Sequence, residues 1–251
     1  MAAGLLLLPA LVTGGVPQFP SAWAADPVKV DGNAEPWSTL LRPVSEDIPM
    51  VIGVKNDAEY LYLCFKTSNS RLKRQLRSTG LTVWLNGAGK NTMSKGFGVR
   101  YPLQKIKPKD AQKTHEPPPP ETEGGIPVFV PPPPDFELIG PTEDDRQRFE
   151  LGAGEPVEAA LGDDTGVMVL ELKLPLKAPG VYNLAVKGAL GTVVGVGLGT
   201  TIPKEKRGKV WADNVNSHGV KSKPDEEGPE MPAPFALWLQ VTLAPPPPAA
   251  K

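Results

Sequence analysis

The sequence predicts an all-β fold, an antiparallel two-sheet sandwich of the jelly-roll or immunoglobulin-like kind, with a long loop insertion and one short helix. Three observations carry that prediction. Short apolar stretches alternate with polar residues at the period of a strand, and Gly, Pro, Asn or Asp bounds each one. Only Ser70–Arg77 has the spacing of a helix. No strand–helix–strand rhythm runs along the chain, as a parallel sheet would require.

The expected strands begin with Met50–Val54 and Glu59–Thr67, separated by the Asn56-Asp57 turn signal. They continue with Leu81–Leu85, Phe97–Tyr101, Phe136–Ile139, Val157–Leu161, Val167–Leu174, Val181–Val186, Val193–Leu198 and Phe235–Leu243. In the helix, Leu72 and Leu76 stand at i, i+4 behind a capping Ser. Proline then sets boundaries, because it has no N–H for a ladder and favours extended backbone. Blocks at Pro117–Pro120 and Pro131–Pro134 mark an insertion over about residues 102–134, and Pro245–Pro248 opens a Pro-rich tail over 245–251. Both are expected to be polar spacers or contacts for a partner protein.

Residues 1–24 contain no Lys, Arg, Asp or Glu, and the apolar run Ala2–Val12 is followed by Ala22-Trp23-Ala24. Small residues in that arrangement suit a signal peptidase, and the run falls short of the roughly 20 apolar residues that span a bilayer. The expectation is a signal peptide over 1–24, one domain over 25–244, and an exported protein, periplasmic or extracellular, with no integral membrane anchor. Cys64, the only cysteine, lies in an apolar run and reads as a small core hydrophobe. A net charge of −1 excludes a dedicated nucleic-acid binder, whose domain would carry a basic excess.

Catalysis finds little support. His115 and His218, the only histidines, lie in polar loops, with no metalloprotease helix motif and no serine-nucleophile elbow. The stretch Trp84–Thr92 ends Gly-Lys-Asn-Thr and lacks the first glycine of a phosphate loop. Glu150, Glu155 and Glu171 are carboxylates without the context of a hydrolase pair. A structural Ca²⁺ at Asp163 and Asp164 would be compatible with the fold.

Strand parity points instead to a binding face. Leu81, Val83 and Leu85 face one way and Trp84 and Asn86 the other; Phe97, Val99 and Tyr101 oppose Gly98 and Arg100 in the same manner. Paired across residues 87–96, these strands put Trp84, Asn86 and Arg100 on one face. Glu171 points away from the core set Met168, Leu170, Leu172 and Leu174, and Trp238 away from Leu237, Leu239 and Val241. Aromatic, amide, guanidinium and carboxylate groups together suit a sugar, whose C–H face stacks on indole while its hydroxyls take donors and acceptors. The bland alternative packs Trp84 and Trp238 under the insertion and leaves Arg100 and Glu171 as a surface ion pair worth little. Gly195 and Gly197 form a bare strip that a large side chain such as Trp238 would fill.

Four stretches in order, Lys29–Leu40 (KVDGNAEPWSTL), Val54–Thr67 (VKNDAEYLYLCFKT), Gly80–Gly87 (GLTVWLNG) and Leu170–Leu176 (LELKLPL), together with the ending Phe235–Ala244, resemble family 9 carbohydrate-binding modules and the wider DOMON-like jelly-roll group. The resemblance implies a non-catalytic sandwich that stacks a glycan on aromatic rings between polar clamps, with Trp211 the best candidate for a second stacking ring. It also implies an alternative, a haem-binding domain drawing axial ligands from Met50, Met93, Met168, His115 or His218. An envelope scaffold acting through its Pro-rich segments is the third reading. In such a fold Trp37 would start a strand and plug one end of the core, its indole N–H needing one partner.

Overall fold

The structure, a computed structural model, describes residues 15–103, 135–140, 146–149, 157–177, 185–200 and 233–248. The strands are β1 (Gln18–Pro20), β2 (Ala22–Trp23), β3 (Arg42–Pro43), β4 (Val51–Asn56), β5 (Tyr60–Thr67), β6 (Leu81–Asn86), β7 (Phe97–Leu103), β8 (Asp135–Ile139), β9 (Arg146–Phe149), β10 (Glu158–Asp164), β11 (Val167–Pro175), β12 (Val193–Gly199) and β13 (Ala236–Thr242). One helix, α1 (Ser70–Thr79), links β5 to β6. A seven-stranded sheet runs β1-β13-β12-β6-β7-β8-β9, and a second sheet runs β10-β11-β5-β4-β2, with β3 beside β4.

The alternation read in the sequence is what separates inside from outside. Leu81, Val83, Leu85, Phe97, Val99, Tyr101, Val196, Leu198 and Leu239 of the first sheet meet Ile52, Leu63, Phe65, Leu170 and Leu172 of the second in one buried cluster. Each such side chain contributes about 1.5–3 kcal/mol when fully buried, so the sandwich is held by its interior. The β6–β7 hairpin has the expected register, with Thr82 opposite Arg100 and Trp84 opposite Gly98.

The structure departs from the sequence reading in several places. The helix is capped by Asn69, not Ser: its side-chain oxygen accepts from Leu72 N at 2.9 Å, which satisfies one of the orphan donors of the first turn. Trp37 ends a short 3-10 turn, Glu35–Trp37, and starts no strand. Strand β9 escapes notice because Arg146-Gln147-Arg148-Phe149 has no apolar alternation. Of the expected Val181–Val186 strand, residues 181–184 lie outside the described residues; Ala185 and Val186 are irregular, with Val186 N donating to Pro175 O at 2.8 Å. Pro102 and Leu103 belong to β7, and the remainder of the expected insertion, 104–134, lies outside the described residues.

Nor are the sheets purely antiparallel. β1 pairs parallel with β13, and β2 pairs parallel with β4, so residues 18–23 edge one sheet and then the other. The crossing at Ser21 is tied by side chains. Ser21 Oγ donates to Asn56 Oδ1 and accepts from Ala244 N at 2.8 Å, while fully buried Asn56 donates to Ala244 O at 3.0 Å. Phe19 is buried in the main core. The stretch whose composition suggested a removable leader is, from Gln18 onward, part of both sheets.

Candidate functional site

On the outer face of the seven-stranded sheet, pairing registers set one straight row: Trp238, Gly197, Trp84, Gly98 and Ile139, on β13, β12, β6, β7 and β8. An indole stands beside a bare glycine twice over. A Cβ built on Gly98 would meet Cε3, Cζ3 and Cδ2 of Trp84 at 2.9, 3.0 and 3.1 Å, and one on Gly197 would meet Cζ2, Cε2 and Cη2 of Trp238 at 3.0, 3.1 and 3.1 Å. Three consecutive ring atoms at almost one distance place each glycine under the face of the ring rather than off its edge. Both indoles therefore lie down on the sheet, and both remain partly exposed.

Around the rings opens a hollow of about 300 Å³, lined among others by Thr82, Met93, Thr200, Pro234 and Phe235. Met93, on the β6–β7 loop, is the exposed large apolar side chain among the described residues. A second hollow, about 310 Å³, opens beside Leu41, Met50, Lys66 and Thr67, and its lining contains no aromatic ring.

The polar residues expected to share this face behave differently from the two tryptophans. Asn86 is on the face but buried: its Nδ2 donates to Thr92 O at 3.0 Å and Ser94 O at 3.1 Å, and its Oδ1 accepts from Ala88 N at 3.1 Å. It builds the β6–β7 loop and has nothing left for a ligand. Arg100 bends to the end of α1, donating from Nε to Thr79 O at 2.7 Å, and its Nη1 lies 3.6 Å from Glu137. Burial lowers the Arg100 pKa from its ordinary value, against the opposing field of Glu137. Glu137 also meets Arg146 at 3.3 Å, and Asp135 meets Arg148 at 2.9 Å, so an ion-pair network borders the aromatic row. The expected partner of Arg100, Glu171, is in the other sheet.

Glu171 is the clearest correction. Parity does turn it outward from β11, but residues 26–41 lie across that outer face, leaving the side chain 1% exposed. One carboxylate oxygen accepts from Trp37 Nε1 at 2.6 Å; the other accepts from Asp31 N at 2.9 Å and Gly32 N at 2.6 Å. The Asp-Gly-x-x-x-x-Trp spacing at Asp31–Trp37 thus serves to bring three N–H donors to one buried carboxylate. Gly32, with φ +79°, is required there, since a Cβ on it would meet Gly162 N at 2.7 Å; Gly162 below is required in turn, since a Cβ on it would meet the Gly32 carbonyl oxygen at 2.0 Å. Trp37, Tyr62, Cys64 and Val169 form a separate buried cluster under this cover. Trp37 is buried, as expected, but in this outer cluster and not at one end of the main core, with Lys55 Nζ 4.7 Å from its ring centroid. Burial, then the nearby Glu171 charge, pushes the Cys64 thiol up to about 12, which leaves it without thiolate character.

Met50 and Met168 are buried in the main core, and His115 and His218 lie outside the described residues. Asp163 is ion-paired to Arg77 at 2.5 Å; among the described residues no cluster of three His, Cys, Asp or Glu side chains could hold a metal. Glu150, Glu155 and Trp211 also lie outside the described residues. Sequence reasoning named Trp84 and Trp238, offered Met93 only as a haem ligand, and took Phe235 only as the start of the last strand. Glycines in strand register beside each Trp were the signal available for the lie of the rings.

No protein-family model and no curated protein matches the sequence. Among solved structures, the chain is similar to a family 9 carbohydrate-binding module from Caldicellulosiruptor kristjanssonii in complex with cellotriose, at 10% identity, covering 93% of this chain and 97% of that one with a TM-score of 0.42. A family 9 module from the same organism in complex with glucose is similar at 9% identity, covering 74% and 78%, with a TM-score of 0.36. Likeness of this degree assigns no ligand to the chain.

Proposed function

We propose that this chain is an exported, non-catalytic binding module that takes a carbohydrate on the outer face of its seven-stranded sheet. The observation that carries the reading is the pair of indoles lying face-down on Gly98 and Gly197 in one row, partly exposed above a hollow. A flat ring laid on a sheet offers its upper face to the C–H face of a pyranose, and the quadrupole of the indole favours that contact beyond area alone. Met93, Pro234 and Phe235 at the rim add apolar contact beside the rings. Glu171, one of the three carboxylates weighed for a hydrolase pair, is fully engaged as a structural acceptor, which favours binding over hydrolysis. The uncharged, apolar opening of the chain supports export.

Affinity gel electrophoresis against a panel of soluble plant and envelope polysaccharides tests the reading. At least one glycan should retard the protein, and Trp84→Ala and Trp238→Ala should each reduce that retardation at unchanged melting temperature. If no polysaccharide retards the wild-type protein, the proposal fails.

A further inference from the structure

The hollow beside Trp84 and Trp238 has a distinctive inventory of groups. Its lining, from Thr82, Met93, residues 197–200 and residues 234–238, contains no charged side chain among the described residues. Thr82 and Thr200 are buried, and the Thr200 hydroxyl accepts from Phe235 N at 3.3 Å. The Trp37 indole N–H donates to Glu171, but among the described residues those of Trp84 and Trp238 have no acceptor. Aromatic faces, apolar walls and two open donors are therefore what the hollow presents. Ile139, next in the row after Gly98, is 1% exposed, so the opening ends at Trp84 and suits a short ligand.

A run of prolines complements such a surface. It has no backbone N–H to leave unpaired, its carbonyls are acceptors, and its rings pack on aromatic side chains. In polyproline II the rise is about 3.1 Å per residue with three residues per turn, so prolines i and i+3 face the same way roughly 9 Å apart. The Trp238 and Trp84 rings stand over β12 and β7 with β6 between them, hence roughly 10 Å apart at the usual strand spacing. Four prolines are the shortest block that contains both an i and an i+3. The chain carries one in view: Pro245–Pro248, all exposed, just after β13. That block does not reach the hollow of its own molecule. Ala244 is held at its N–H by Ser21 and Asn56 and at its carbonyl by Asn56. Trp238 lies back along the strand from it by about 20 Å, whereas four prolines in polyproline II span only about 12 Å.

We propose that the hollow is a docking site for Pro245–Pro248 of a second copy of this chain, with Pro245 and Pro248 stacked on the two indoles and the carbonyls of the block accepting from their N–H groups. Hollow and block lie apart on each copy, so the contact is head-to-tail, and assembly continues past a dimer unless the copies close into a ring. The same indoles carry the carbohydrate reading, so a docked tail hides them from a sugar; the docking itself does not depend on that reading.

Two measurements on the full chain test this: tryptophan fluorescence of the dilute protein titrated with the synthetic peptide Ala244–Lys251 (APPPPAAK), and sedimentation velocity over a range of protein concentrations. The peptide should bind saturably, and Trp84→Ala and Trp238→Ala should each weaken it about fivefold or more, the worth of one stacked ring. Trp84→Phe, which keeps a ring and loses the donor, should weaken it less than Trp84→Ala. Carrying Pro245→Ala and Pro248→Ala, the peptide should lose more affinity than when it carries Pro246→Ala and Pro247→Ala, a comparison that needs no variant of the protein to fold. In sedimentation the weight-average mass should rise with concentration, and deleting residues 245–251 should hold the chain at monomer mass. A peptide that does not bind, binding indifferent to both indoles or to which prolines are replaced, a full chain monomeric throughout, or self-association that survives the deletion would overturn the inference. Because the peptide contains no sugar, each of these failures leaves the carbohydrate reading to the polysaccharide panel.

Discussion

Replacing Glu171 tests the account of the Asp31–Trp37 cover most directly. Its carboxylate accepts three hydrogen bonds, at 2.6, 2.6 and 2.9 Å, from Trp37 Nε1, Gly32 N and Asp31 N. Bonds to an ionised acceptor contribute about 1.5–3 kcal/mol each, and an orphaned buried donor costs a similar amount. Partial re-solvation of the cover returns some of this, so Glu171→Ala is expected to destabilise by roughly 3–5 kcal/mol. Glu171→Gln keeps one acceptor oxygen but turns an NH₂ group toward N–H donors, and about 2–3 kcal/mol should be lost. Against a total stability of roughly 5–15 kcal/mol, either change shows clearly in urea denaturation followed by tryptophan fluorescence. A double-mutant cycle with Trp37→Phe sharpens the test: because both substitutions remove the same bond, their effects should add to less than the sum. If Glu171→Gln unfolds within about 0.5 kcal/mol of wild type, the limit expected of a surface substitution, the carboxylate is not what pins the cover and the reasoning is wrong.

Four further outcomes are expected. Cys64 should be inert to thiol reagents in the native protein and become reactive in Glu171→Ala, since the cover that buries it is released. The thiol pKa is raised by burial to about 12, as burial also raises those of Tyr62 and Tyr101, so the unfolded chain ionises first. Stability should therefore be complete below pH ~8.5 and fall as pH climbs toward 12, with Cys64→Ala showing a shallower fall in denaturation midpoint. Deleting residues 1–24 removes Phe19 from the core along with the backbone bonds of Pro17, Ser21 and Ala24 and should cost about 3–5 kcal/mol in calorimetry. Asn86→Ala should cost about 2–3 kcal/mol and open the loop at residues 87–96 to limited proteolysis; an intact loop would show that its bonds to Thr92, Ser94 and Ala88 are dispensable.

Where apolar and polar residues alternate strictly, as in β6, β7 and β11, the sequence is legible down to facing and register, because a one-residue slip would turn the core outward. The same rule misplaces Glu171. Parity distinguishes inner from outer, but an outer face is wet only if nothing lies across it, and the covering segment 26–41 reads locally as irregular chain. Asn86 fails for a related reason: a short amide at a strand end is as well suited to holding the following loop as to holding a sugar. Residues 18–23 read two ways because an uncharged apolar segment suits a translocated leader and a buried sheet edge equally, and two short parallel pairings have no sequence period. Trp37 was legible in its burial and illegible in its local geometry, since the indole partner lies 134 positions away.

Ser21, Asn56 and Ala244 join the first described strands to the last, so the crossing between β1 and β2 and the end of β13 are held at a single corner. A unit wired in that way can be spliced into a loop of another protein, strung in tandem, or circularly permuted through a short bridge without disturbing its layers.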